Sequence, residues 1–202
     1  MKRDSTTRER IVHAAIETLG EEGFAGTTAR AIAARGGFNQ ALIFYHFGSV
    51  PGLLVEAFRK TSEEQIAKYH AAAQEVHSLV DLVEIARRLH AEDLETGSIT
   101  AVTQLMAAAA SDEEAGKVIL DRFDAWIKVV EEAVNNAIEG QPLQPVVPVR
   151  EAAYAISAMF LGIELMSRLD PERSEAERVF DMMATLAQMI EQFMPMLLGQ
   201  QT

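Results

Sequence analysis

Two adjacent glycines, Gly36 and Gly37, constrain this chain more than any other feature, because they interrupt the run TTARAIAARGGFNQALIFYHF at residues 27–47. Glycine is a poor helix interior residue, and a pair of them stops one. The helix before them can start on Thr27 or Thr28, whose hydroxyls accept from the first orphaned backbone N–H groups, and it continues through the alanine-rich AIAA. At least one of the two glycines is expected to take a positive φ and turn the chain, and a second helix restarts near Phe38 or Asn39. Two short helices about a glycine turn make either a plain helical hairpin or a helix-turn-helix, whose second helix enters the DNA major groove. On the latter reading Asn39, Gln40 and Ala41 form the exposed N-terminal end of that helix, where short polar or small side chains reach base edges.

The flanking sequence favours the second reading. Thr6-Thr7-Arg8-Glu9 is a capping-box signature ahead of an apolar stripe of Ile11, Val12, Ala15, Ile16 and Leu19, so a third helix is available to back the pair. After His46-Phe47-Gly48, Ser49 caps a fourth helix with Pro51 in its first turn and Leu53, Leu54, Ala57 and Phe58 along it. The N-terminal helix, Gly23-Phe24 followed by Thr27-Thr28, the Ile32-Ala33 pair, the glycine turn, and Phe44-Tyr45-His46-Phe47 before a leucine-bearing helix together resemble the tetracycline-repressor (TetR) family of transcription regulators. The resemblance is specific over about the first 60 residues and beyond them is one of length and helical architecture.

What the resemblance implies is an all-α fold: an N-terminal three-helix helix-turn-helix DNA-binding domain at 1–48, then an α-helical effector-binding and dimerisation body at 49–202. The family's DNA-facing positions fall on Thr28, Arg30, Asn39, Gln40, Ala41, Phe44, Tyr45 and His46. Two positions depart from the family's pattern. Phe44 stands where a phosphate-contacting tyrosine is usual, leaving Tyr45 to supply a hydroxyl, and Val50 stands where a lysine is common.

The net charge of -12 argues against DNA as a partner only until its distribution is considered. Residues 1–60 carry eight Lys/Arg and six Asp/Glu, a balance of +2, while the remainder carries -14. That asymmetry turns the N-terminal end toward phosphate and the acidic body away. Lys2, Arg3 and Arg8 form a short basic arm that either follows DNA or is a solvated tail.

With 49% hydrophobic residues in 202, the chain can bury a substantial helical core, and no strand-period run of useful length competes. It has no cysteine, secretory signal or membrane-spanning apolar run, so a cytoplasmic protein without disulfides and without membrane association is expected.

Helix punctuation divides the body. Ser78 caps a helix ending near Gly97, and Ser111-Asp112-Glu113-Glu114 opens a long one that stops at Gly140. The proline-rich loop 141–148 precedes two last helices at about 149–169 and 175–198, broken at Asp170-Pro171, with Ser174-Glu175-Ala176-Glu177 capping the second. Both carry apolar residues over much of their circumference. They are therefore either central core or shared between their own subunit and a second copy, in a four-helix homodimer interface.

No residue pattern points to an enzyme, a metal site or a cofactor. His13, His46, His70, His77 and His90 show no metal-binding motif; His70 and His77, seven apart and able to share a helix face near His90, read as a solvated face rather than a metal site, and no phosphate loop or nucleophile elbow occurs. The candidate ligand site is a cavity between body helices lined by Met106, Phe123, Trp126, Phe160 and Tyr154, with Glu164 or Gln104 as a polar handle, although the same residues also suit plain core. The function expected is a homodimeric regulator, a repressor, released from a palindromic double-stranded DNA operator by a small, largely apolar effector. The alternative is a DNA-tethered module whose acidic body binds a partner protein.

Overall fold

The computed structural model describes residues 2–96, 113–170 and 175–197, and those residues form eight helices and no strand. They are α1 (Lys2–Gly26), α2 (Ala29–Gly36), α3 (Ala41–Phe47), α4 (Val50–Ala73), α5 (Leu79–Thr96), α6 (Glu113–Ile138), α7 (Val149–Leu169) and α8 (Glu175–Leu197). Two compact units result. The head holds the described residues of 2–64 and 113–122, and the body those of 65–96, 123–170 and 175–197.

In the head, α1 presents Ile11, Val12, Ala14 and Ala15, α2 presents Ile32, α3 presents Ile43, and α4 presents Leu53 and Ala57 to one buried cluster. α1 starts at Lys2, earlier than its capping-box signature suggested. Residues 2–5 contain neither glycine nor proline, so nothing stops the helix from extending back through them. Gly23, at φ 68 and ψ -178, breaks the helical path, and Thr27 folds back to donate its hydroxyl hydrogen to the Gly23 carbonyl at 2.6 Å.

Two arginines lock the head. Arg35 of α2 forks onto the Glu21 carboxylate at 2.8 and 2.7 Å and donates to the buried Thr18 hydroxyl at 3.1 Å, tying α2 to α1. Arg8 pairs with Glu56 of α4 at 2.9 Å and lies over the Phe47 ring at 5.1 Å. The cation assigned to a basic arm is thus a strut between α1, α3 and α4, because a carboxylate and an aromatic face in reach hold a guanidinium better than solvent does.

In the body, α5 packs against α7 and α8. Ser78 caps α5 through Asp81 N–H at 3.0 Å, and Glu191 of α8 reaches across to accept from the Leu79 N–H at 2.6 Å. The residues expected to cap α6 and α8, Ser111, Asp112 and Ser174, lie outside the described residues. The inward faces of α7 and α8 bury Ala153, Phe160, Phe180 and Ala187, while Met159, Met166, Leu169, Met182, Leu186, Met189 and Phe193 stand exposed. Among the described residues no single helix is long and apolar enough to cross a membrane.

Candidate functional site

The turn between α2 and α3 is built on two glycines that are needed for different reasons. Gly37 has φ 65 and ψ 40, the left-handed conformation that ends α2, with its N–H donating to the Ala33 carbonyl. Gly36 is required by space, since a Cβ there would collide with the Phe38 ring and come within 3.0 Å of the Ala14 methyl. The start of α2 is capped by Thr28, whose hydroxyl accepts from Ala31 N–H at 3.2 Å.

α3 begins later than the sequence suggested. It starts at Ala41, with Gln40 as the flanking residue making no side-chain cap, and the Asn39 side-chain oxygen instead accepts from Ala41 N–H at 2.9 Å. One acceptor site of the Asn39 side chain is thus spent on the backbone at the start of α3, while the residue itself stays exposed. Ile43 is fully buried and Leu42 and Phe47 half-buried against the head core, which anchors α3 by one side. The other side is open: Gln40, Ala41, Phe44 and Tyr45 are all exposed, Tyr45 at 79%. Gln40 and Phe44 are one helical turn apart, as are Ala41 and Tyr45, so the four make one outward patch. His46 is half-buried and meets the Tyr45 ring edge-on at 4.9 Å, a support for that ring more than a surface of its own. Arg30, exposed on α2, has no ion pair among the described residues and is available to an anion.

Val50 packs half-buried against the head core, and Ser49 beside it caps α4 through Gly52 N–H at 3.0 Å. Lysine at this position would leave that packing, so Val50→Lys is expected to lower head stability by about 1 kcal/mol and leave the salt dependence of DNA binding unchanged. Thermal melts and titrations at two salt concentrations decide it. An unchanged melt with a salt slope steeper by about 1 per head would place residue 50 against phosphate instead.

The body contains a cavity of about 70 Å³ walled by Tyr69, Trp126, Val129, Ile156 and Phe160. Of the residues the sequence nominated, Trp126 and Phe160 are in its wall, with ring centroids 5.6 Å apart. Phe123 is half-buried and outside the wall. Tyr154 is 65% exposed, because it sits about a quarter turn away from the inward stripe Ala153, Ser157 and Phe160. Gln104 and Met106 lie outside the described residues.

Glu164 is buried one turn beyond Phe160, and its Oε1 lies 2.6 Å from Nδ1 of His90 on α5. His90 is thus not a solvated position; both partners are at least 97% buried and the other ring nitrogen is 3.4 Å from the Ser167 hydroxyl. Burial pushes the Glu164 carboxyl above the ordinary carboxylate range, against the opposing pull of His90. A second buried carboxylate, Asp93, accepts from the Tyr69 hydroxyl, from Lys68 at 3.3 Å and from Gln65 at 3.4 Å. Burial and the Asp93 charge raise the Tyr69 phenol and keep it a donor. Sequence reasoning missed His90 and Asp93. Their signal was present as spacing, since 86, 89, 90 and 93 continue the apolar stripe of α5.

Residues 11–57 match the family model for bacterial regulatory proteins of the tetR family. Over 160 residues the chain is 30% identical to the HTH-type transcriptional regulatory protein RaaS of Mycobacterium tuberculosis, spanning 79% of this chain and 68% of that protein. Its fold is shared with a TetR-family transcriptional regulator from Cytophaga hutchinsonii, at a TM-score of 0.77 and 16% identity over 93% of this chain and 96% of that one. It is also shared with FadR of Bacillus subtilis, solved in complex with stearoyl-CoA, at a TM-score of 0.69 and 14% identity over 89% and 96% of the two chains.

Proposed function

Since this chain belongs to the TetR family of transcriptional regulators, we propose that it is a homodimeric repressor acting in the cytoplasm, released from a palindromic operator when a small, largely apolar effector enters its body cavity. The observation that carries the DNA half of this reading is the open side of α3, where Gln40, Ala41, Phe44 and Tyr45 are exposed on a helix anchored by fully buried Ile43. Glutamine pairs bidentately with adenine in the major groove, and the aromatic pair suits thymine methyl groups and the sugar edge. Arg30 and the Thr28 hydroxyl supply phosphate contacts.

The exposed apolar arcs of α7 and α8 favour a second copy of the chain as their cover, and a two-fold pair presents two reading helices to an inverted repeat. The cavity favours an effector with apolar surface, and FadR, of the same fold, was solved with a ligand that carries a long acyl chain. Release then is a population shift, in which an effector preferring the conformation with mis-spaced heads weakens DNA binding by the same coupling, about 1–3 kcal/mol.

Selection from a random duplex library is expected to enrich an inverted repeat bound by a dimer, with affinity falling as salt rises. Gln40→Ala should cost about 1–3 kcal/mol on the enriched site and flatten discrimination at one position in each half, with binding to scrambled DNA unchanged. A monomeric mass, no enriched repeat, or equal losses on cognate and scrambled duplexes would overturn the reading.

A further inference from the structure

Serine and threonine inside a helix ordinarily turn the hydroxyl back to a carbonyl of the preceding turn. Thr18, Thr61 and Thr185 do so, donating to the carbonyls of Ala14, Ala57 and Asp181 at 2.7, 3.0 and 2.9 Å. Ser157 of α7 does not. It is 5% exposed, it stands in the wall of the body cavity, and its hydroxyl has no hydrogen-bond partner among the described residues. Of the fourteen described residues in that wall, two others carry a polar side-chain atom, Tyr69 and Trp126. The Tyr69 hydroxyl is already spent, donating to Asp93 and accepting from Gln65 at 3.3 Å. The Trp126 indole can only donate. No Asp, Glu, Lys, Arg or His belongs to the described wall, and Glu164, one turn beyond Phe160, is engaged with His90 outside it.

A buried donor without an acceptor costs stability. One water is a poor remedy, because a buried water needs about two to four polar partners and the wall has one free hydroxyl. An ion would lose its hydration and meet no opposite charge in the wall. An alcohol that accepts from Ser157 strands its own hydrogen. A carbonyl oxygen fits all three conditions, since it accepts, has no hydrogen to place and carries no net charge. Size narrows the frame that bears it. The cavity of about 70 Å³ is smaller than the roughly 150 Å³ apolar void that holds benzene, so the enclosed part is no larger than a small ring and a long acyl chain is not contained.

We propose that the body cavity recognises a compact, uncharged carbonyl compound, a ketone or ester on a small hydrocarbon frame, with its oxygen accepting from the Ser157 hydroxyl and its frame against Trp126, Ile156 and Phe160. This rests on the reading of the cavity as the effector site and adds the chemical class of the ligand.

Trp126 is the only tryptophan of the chain and stands in the wall, so a saturable change in its fluorescence, beyond that of free tryptophan, reports occupancy. Cyclopentanone, methylenecyclopentane and cyclopentanol have nearly one shape and differ in the group offered to Ser157, while cyclopentylamine, protonated at neutral pH as lysine is, adds a charge. Cyclopentanone is expected to bind the wild type about fivefold more tightly than cyclopentanol and about tenfold or more above cyclopentylamine. Ser157→Ala should weaken cyclopentanone about fivefold and bind methylenecyclopentane at least as tightly as the wild type does. Without ligand it should melt no lower than the wild type, because it removes an unpaired group. Equal cyclopentanone affinity in the two proteins, or cyclopentanol or cyclopentylamine as the tightest ligand of the wild type, overturns the carbonyl assignment and leaves the cavity as an effector site. A Ser157→Ala protein that melts lower shows the hydroxyl to be paired within the fold and overturns it too. No saturable response to any of the four overturns the effector cavity itself.

Discussion

Ile43→Ala is expected to lower the stability of the head by about 2–5 kcal/mol and to abolish specific DNA binding, although residue 43 would touch no base. The side chain is fully buried in the cluster formed with Ile11, Ile32 and Leu53. α3 has only seven residues, too short to persist in water by itself, so its orientation depends on what it buries. Leu42 and Phe47 are only half-buried, and Ile43 is the one residue of α3 wholly inside. Gly36→Ala should act in the same direction by overpacking, at about 1–3 kcal/mol, as its methyl meets the Phe38 ring and Ala14. Denaturant melts followed by hydrogen exchange of the α3 amides give the cost and its location. A cooperative melt at the wild-type midpoint with operator affinity retained would show that α3 is held from elsewhere.

His90→Leu is expected to cost about 3–5 kcal/mol, because it strands the Glu164 carboxyl in an apolar interior. Both groups are nearly inaccessible, and Glu164 would be left without a partner for either oxygen. Removing both polar partners is a different experiment. The double variant His90→Leu, Glu164→Met replaces the pair by packed hydrocarbon and should come within about 1 kcal/mol of the wild type or exceed it. A double variant as unstable as His90→Leu alone would mean that the pair is worth more than the desolvation it suffers, and that its role is to hold the fold.

Much of this was legible in the sequence because caps and glycines act locally. Thr28, Ser49 and Ser78 each accept from a backbone N–H at the helix start they announce, and the last two helices span residues 149–169 and 175–197, close to where Gly140, the prolines and Asp170 placed them. What escaped detection depends on partners distant in sequence. Arg8 reads as a free cation until Glu56, 48 residues away, folds beside it. His90 reads as one more polar residue until Glu164, 74 residues on, faces it. Tyr154 went astray for a different reason. Aromatic character suggests a cavity wall, but position around the helix decides it, and 154 falls outside the buried stripe that 153, 157 and 160 define. Asn39 shows that an exposed residue expected to face a partner can still be partly committed to its own backbone, here to the Ala41 N–H at the start of α3.

The two neighbouring glycines also bear on how such a reader changes over generations. Gly37 admits no side chain without backbone strain and Gly36 none without collision, so the turn offers no neutral single-residue path. The outward residues Gln40, Ala41, Phe44 and Tyr45 carry no such burden. On the proposed reading, operator preference is therefore free to drift, or to be re-engineered, by substitutions at those four positions while the hinge that aims them stays invariant.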